Sequence, residues 1–188
     1  MSTPATPKPF YINLQAQITP DIANKFLAVM EAKIAAGATE AHVAIASPGG
    51  FLDPAFAIYN FLRGIPIPVT THNYGHVDSV ATVIYTAGKT RLATRQCRFM
   101  IHGLTWTAQQ AGVVLSEQNL VEILNNLRTM SRNIADVISE RTGNPVEKVV
   151  SDMSKSVVLG ANEAKAYGLV HEFADALFPQ GADVVAVR

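Results

Sequence analysis

Two rhythms of apolar and polar positions run along this chain, and the switching between them outlines a fold. Phe10 to Leu14 is a short run that predicts a strand. Beyond it, Ile22, Phe26, Met30 and Ile34 recur every four residues, which gives the single apolar stripe of a helix that faces a core. Thr19 can cap that helix, Pro20 suits its first position, Asp21 complements its positive end, and Gly37 terminates it. His42 to Ala46 predicts a second strand, which runs into the sharp turn Ser47-Pro48-Gly49-Gly50. Asp53 and Pro54 open a helix that Gly64 closes. Ile67 to His72 predicts a third strand, and Tyr74 to Ser79 connects it to an apolar helix from Val80 to Ala87, stopped at Gly88.

The second half repeats the alternation. Arg91 to Ala93 and Phe99 to His102 predict strands, and a long helix follows from Leu115 to Arg141, residues 115–141. Gly143 ends it, and Asn144 with Pro145 starts another. A short helix at Glu163 to Tyr167 and a strand at Leu169 to Phe173 complete the order. Strand and helix in turn predict an α/β fold with a largely parallel sheet, in one domain over residues 1–188. Residues 1–9, rich in Pro and Thr, are expected to be flexible, and residues 180–188 to form a loose tail.

Composition narrows the function classes. Hydrophobic residues make up 48% of the chain, enough for a sizeable core. Fifteen basic residues balance fifteen acidic ones, so no basic field grips a nucleic-acid backbone, and no nucleic-acid partner is expected. A net charge of zero gives little protection against self-association, which is compatible with an oligomer. Cys97 is the only cysteine, so no internal disulfide can form. No apolar run approaches a membrane span. Together these features point to a cytoplasmic protein with no membrane partner.

Three short segments carry candidate chemistry. The Ser47 to Gly50 turn can aim backbone N–H groups outward, where they could hold an oxyanion, although a plain strand-to-helix turn looks the same. Ser79 begins a helix, where partial positive charge favours a developing negative one, although Ser79 or Asp78 could simply cap it. His102 ends the apolar strand from Phe99 and could serve as a general base, or could be a hydrogen-bonded structural histidine. His72 and His76 lie four apart near Asp78, but in a strand and turn rather than on one helix face, so no metal site is expected there.

Taken together, these segments resemble the proteolytic subunit of the Clp protease, a peptidase with a crotonase-like fold. That family carries a Ser-Pro-Gly-Gly turn, a serine segment and a Met-Ile-His segment in this order. Here they are Ser47 to Gly50, Gly75 to Val80 and Met100 to His102. Ala57-Ile58-Tyr59, Thr142-Gly143 and the run from Glu163 through Tyr167-Gly168-Leu169 extend the likeness from about Phe10 to Phe173. The resemblance implies a spiral of ββα units with a protruding long helix. It implies Ser79 as nucleophile, His102 as base, and the N–H groups of Gly50 and Val80 as an oxyanion hole. It further implies a peptide or unfolded-protein substrate bound as an extended strand, a ring-shaped homo-oligomer, and no cofactor or metal.

The chain departs from the family at several positions. Ser156 stands where the family has its catalytic aspartate, and Asp152, one helical turn earlier, is the candidate replacement. Asp78 replaces a small apolar residue before the nucleophile; its carboxylate could repel the oxyanion or point away. The long helix is about one turn longer than the family's, which keeps its apolar face in phase. Gly103-Leu104-Thr105-Trp106-Thr107 replaces a Gly-Gly segment, and Trp106 reads either as an interface anchor or as local packing. Few residues precede the first strand, which makes dependence on a Clp ATPase partner doubtful. These departures leave three readings: a serine peptidase, a non-catalytic ring subunit, or, least favoured, an acyl-CoA activity of the same fold.

Overall fold

The computed structural model describes residues 8–106 and 114–188. Strand β1 (Pro9–Leu14) leads into helix α1 (Pro20–Ala35), whose N-cap Thr19 accepts from the Ile22 N–H at 3.2 Å. Then come β2 (Glu40–Ser47), α2 (Leu52–Gly64), β3 (Val69–Asp78), α3 (Ala81–Thr86), β4 (Thr90–Ala93) and β5 (Arg98–Ile101). The second half holds α4 (Glu117–Thr142), α5 (Val146–Ser154), β6 (Val157–Gly160), α6 (Ala161–Ala166), β7 (Glu172–Phe173) and β8 (Val184–Val187). The alternation gives the expected mixed α/β architecture. Residues 1–7 and 107–113, which include most of the segment expected to be flexible, lie outside the described residues.

One sheet carries the strands in the order β6-β5-β3-β2-β1-β8, with β4 beside β3 and β7 beside β4. Every pair is parallel except β5 with β6. Strand β3 changes partner midway: Thr70 to Asn73 pair with β4, and His76 to Asp78 pair with β5. The buried Asn73 amide stitches this fork, donating to the Arg98 carbonyl at 2.9 Å and accepting from the Gly75 N–H at 3.0 Å. Sequence patterning ends this strand at His72. The observed strand continues to Asp78 because a second partner, β5, takes over its hydrogen bonds.

The core lies between this sheet and helices α1, α2 and α3. All six residues of α3 are buried, and Tyr85 meets Phe99 edge-on at 4.9 Å while its hydroxyl donates to the Leu92 carbonyl. Each such large buried side chain contributes roughly 1.5–3 kcal/mol. Cys97 is buried here too, and desolvation pushes its thiol up to about 11. The buried Arg91 guanidinium ties distant elements together. It donates to the carbonyls of Leu169 at 2.6 Å and of Gly168 and Arg141 at 2.9 Å.

Helix α4 is 26 residues long, about 39 Å at 1.5 Å per residue. Only Ile134, Ala135 and Ile138, all in its C-terminal half, are buried. Its N-terminal half projects from the body and leaves Leu120, Val121 and Leu124 exposed. Ser116 and Asn119 form a capping box at its start, and Gly143, with φ 78°, closes it.

The tail corrects the sequence reading. Residues 180–188 are not loose throughout: β8 pairs in parallel with β1, from Tyr11 opposite Val184 to Leu14 opposite Val187. Phe178 stacks edge-on against Tyr11, and Lys33 forms an ion pair with Asp183. The free edge of β1 carries backbone N–H and C=O groups, and pairing with β8 satisfies them.

Candidate functional site

The C-terminal ends of β2, β3 and β5 converge. Strand β2 ends at Ser47, and the next residues turn back on themselves with φ 87° at Gly49 and 152° at Gly50. Both glycines are dictated by close approach. A Cβ on Gly49 would lie 2.6 Å from the Ser79 Cβ, and one on Gly50 would lie 2.2 Å from the Ile18 carbonyl oxygen. The turn therefore presses directly on Ser79. It is pinned from behind by Ile18, whose N–H donates to Gly49 at 2.8 Å and whose carbonyl accepts from Phe51 at 2.8 Å.

Ser79 itself has φ 58°, a left-handed conformation that costs energy outside glycine. This places its side chain on a sharp strand-to-helix corner, half-buried, ahead of α3. Its own N–H donates to the Met100 carbonyl at 2.8 Å, which fastens the corner to β5. By contrast, the N–H groups of Gly50 and Val80 donate to no other described group; Val80 follows Ser79 in the chain, and Gly50 follows the Gly49 that packs on it. Two free backbone donors next to a hydroxyl can receive a developing oxyanion.

His102 follows directly on β5, two residues after the carbonyl that holds Ser79. Its Nδ1 lies 2.7 Å from the Gly103 carbonyl oxygen. A carbonyl only accepts, so Nδ1 carries the proton and Nε2 keeps its lone pair, the tautomer a general base needs. In this conformation no hydrogen bond joins Ser79 Oγ to His102 among the described residues. The elements bring the two to neighbouring strand ends without closing that contact.

The acid position is different. The Asp152 carboxylate accepts from Lys148 Nζ at 2.5 Å and from the Tyr167 hydroxyl at 2.8 Å, and no hydrogen bond links it to His102. Burial alone would raise its pKa, but these two hydrogen bonds and the nearby lysines outweigh that and hold it below the usual carboxylate range. Asp152 thus serves its own corner of α5. Ser156 lies just before β6, as His102 lies just after β5. Antiparallel pairing sets Ile101 opposite Val157 at the end of the ladder, which brings His102 and Ser156 to the same end of the β5–β6 pair; Ser156 has φ 53°.

Asp78 takes a partner on the neighbouring strand. It is buried, and its Oδ2 accepts from the Arg98 guanidinium at 2.8 Å. Sequence reasoning missed Arg98, because only the pairing of β3 with β5 brings it to Asp78. His72 is occupied in another way, with Nε2 2.8 Å from the Ala174 carbonyl oxygen, and burial lowers its pKa. Beside the glycine turn, a cleft of about 500 Å³ opens between α1 and α2, with Leu27, Phe51, Leu52 and Met130 among its apolar lining.

Comparison with known proteins places this geometry among relatives. A family model described as Clp protease matches residues 6–176. The ATP-dependent Clp protease proteolytic subunit 3 of Rhizobium meliloti (strain 1021) is 31% identical over 162 residues, covering 85% of this chain and 80% of that protein. The ATP-dependent Clp protease proteolytic subunit 2 of Chlamydia muridarum (strain MoPn / Nigg) is 29% identical over 157 residues, covering 82% of this chain and 75% of that protein. Among solved structures, a mutant ClpP1 from Listeria monocytogenes matches with a TM-score of 0.76 and 25% identity, covering 88% of this chain and 91% of that one.

Proposed function

This chain belongs to the Clp protease family, and from that premise we propose that it is a serine-type endopeptidase working inside a ring-shaped homo-oligomer in the cytoplasm. The observation that carries the reading is the corner at Ser79, pressed against the Gly49 backbone with the free N–H groups of Gly50 and Val80 alongside. Ser79 Oγ attacks the peptide carbonyl as His102 Nε2 takes its proton. The carbonyl oxygen, now negative, is received by the two backbone donors. His102 then returns the proton to the leaving amine, and water releases the acyl group by the same route. Apolar side chains of an extended peptide fit the cleft beside Phe51 and Leu52. The exposed Leu120, Val121 and Leu124 on the projecting helix support burial against further copies of the chain.

The Gly103 carbonyl can orient His102 but cannot supply the full negative charge that stabilises an imidazolium. Loss of that charge costs on the order of 10⁴-fold in turnover and still leaves catalysis above background. A slow peptidase is therefore expected. A fluorophosphonate probe should label the wild-type chain and leave Ser79→Ala unlabelled. An assembled, well-folded sample that takes up no label would defeat the reading. A second reading, a non-catalytic ring subunit, draws support from Ser156 at the acid position and from the open Ser79–His102 contact. Cleavage of small peptides by the purified chain, lost in Ser79→Ala, would exclude it.

A further inference from the structure

A buried carboxylate directly before the nucleophile is an electrostatic problem for the reaction proposed above. Asp78 is 3% exposed, and its Cα lies about 3.8 Å from that of Ser79 across a trans peptide bond. When an oxyanion forms beside the Gly50 and Val80 N–H groups, a buried negative charge on the residue before the nucleophile opposes it, with little intervening water to screen the repulsion. Among the described residues one charged group answers it. The Arg98 guanidinium donates to Asp78 Oδ2 at 2.8 Å, while Asp78 Oδ1 is buried with no hydrogen-bond partner, alone in that respect among the buried side-chain polar atoms of the described residues. A carboxylate held on one oxygen by a single cation depends on that cation for its neutralisation.

We propose that Arg98 is a positioning residue that acts through Asp78: it cancels the charge behind Ser79, so that the oxyanion hole works as though a neutral residue preceded the nucleophile. The inference rests on Ser79 being the nucleophile. The arrangement also spans two elements, since Arg98 on β5 is opposite His76, and Asp78 on β3 is opposite Met100, whose carbonyl holds the Ser79 N–H. The Arg98 side chain is 56% exposed, so the cation itself can be replaced without opening the core.

The test reads the second-order rate at which a fluorophosphonate labels Ser79. Arg98→Ala should slow labelling at least about tenfold, equivalent to about 1.4 kcal/mol of transition-state stabilisation. Arg98→Lys should keep most of the wild-type rate. Adding Asp78→Asn to Arg98→Ala should restore the rate to near that of Asp78→Asn alone, because no charge is left to cancel. Asp78→Asn by itself should label at least as fast as wild type, and it remains informative if Arg98→Ala fails to fold. A purely mechanical role for the ion pair predicts the opposite: both Asp78→Asn and the double variant would be as slow as Arg98→Ala, with melting temperature falling in step. Unchanged labelling in a folded Arg98→Ala, or slow labelling in Asp78→Asn, overturns the inference and leaves the peptidase reading intact. Absence of label on the wild type overturns both.

Discussion

His102 holds its working tautomer through a bond to its own neighbour's carbonyl, and Ser156, at the same end of the β5–β6 pair, contributes no charge. The φ of 53° at Ser156 is one that aspartate tolerates better than most residues do. Ser156→Asp should therefore fit the backbone and present a carboxylate to the imidazole. Steady-state peptide hydrolysis should show kcat rising by about tenfold or more with KM little changed, the signature of an interaction made in the transition state. An unaltered kcat would mean that Nδ1 stays with the Gly103 carbonyl. Asp152 offers no such route, because Lys148 and Tyr167 already occupy its carboxylate. The corner at Ser79 and the strand that ends before His102 were legible in the sequence because short motifs in fixed order surround each of them. The compensation of Asp78 by Arg98 was not, since a diagonal pair across two strands leaves no spacing signature in one chain.

Among the elements, the turn after β2 does the most to shape the site. Gly50 is locked between the Ile18 N–H and carbonyl, and Gly49 packs on Ser79. In Gly50→Ala, a methyl group would enter 2.2 Å from a backbone oxygen that cannot retreat without breaking the bonds at Ile18. Thermal unfolding should show a loss of about 2 kcal/mol or more, accompanied by loss of Ser79 labelling. Wild-type stability in that variant would show that the Ile18 bridge gives way easily. Helix periodicity made α1 and α4 readable almost to their ends, because a stripe repeated over many residues averages out local noise. Strands β6 and β8 escaped notice for the opposite reason: each spans four residues, too few for a period, and each owes its existence to a partner strand far away in sequence. The reach of β3 to Asp78 was hidden likewise, since only the fork at Asn73 explains it.

At the scale of the whole molecule, a closed edge of the sheet contrasts with the open tip of a helix. On one side, β8 seals β1, and Phe178 and the Lys33–Asp183 pair hold it there. Deleting residues 184–188 would bare the N–H and C=O groups of Tyr11 to Leu14, a template for another chain. Light scattering on heating should then show aggregation at a lower temperature than for the intact chain, and an unchanged onset would show that β8 is dispensable. On the other side, α4 carries its apolar tip well clear of the body, where no described residue covers it. Such a tip invites observation, and Cys97 makes this practical. Its thiol is enclosed beneath the sheet and reluctant to ionise, so maleimide dyes have no native target competing for them. A cysteine introduced at Leu124 would carry the fluorophore alone, and energy transfer between differently coloured samples would report directly on how copies of the chain meet.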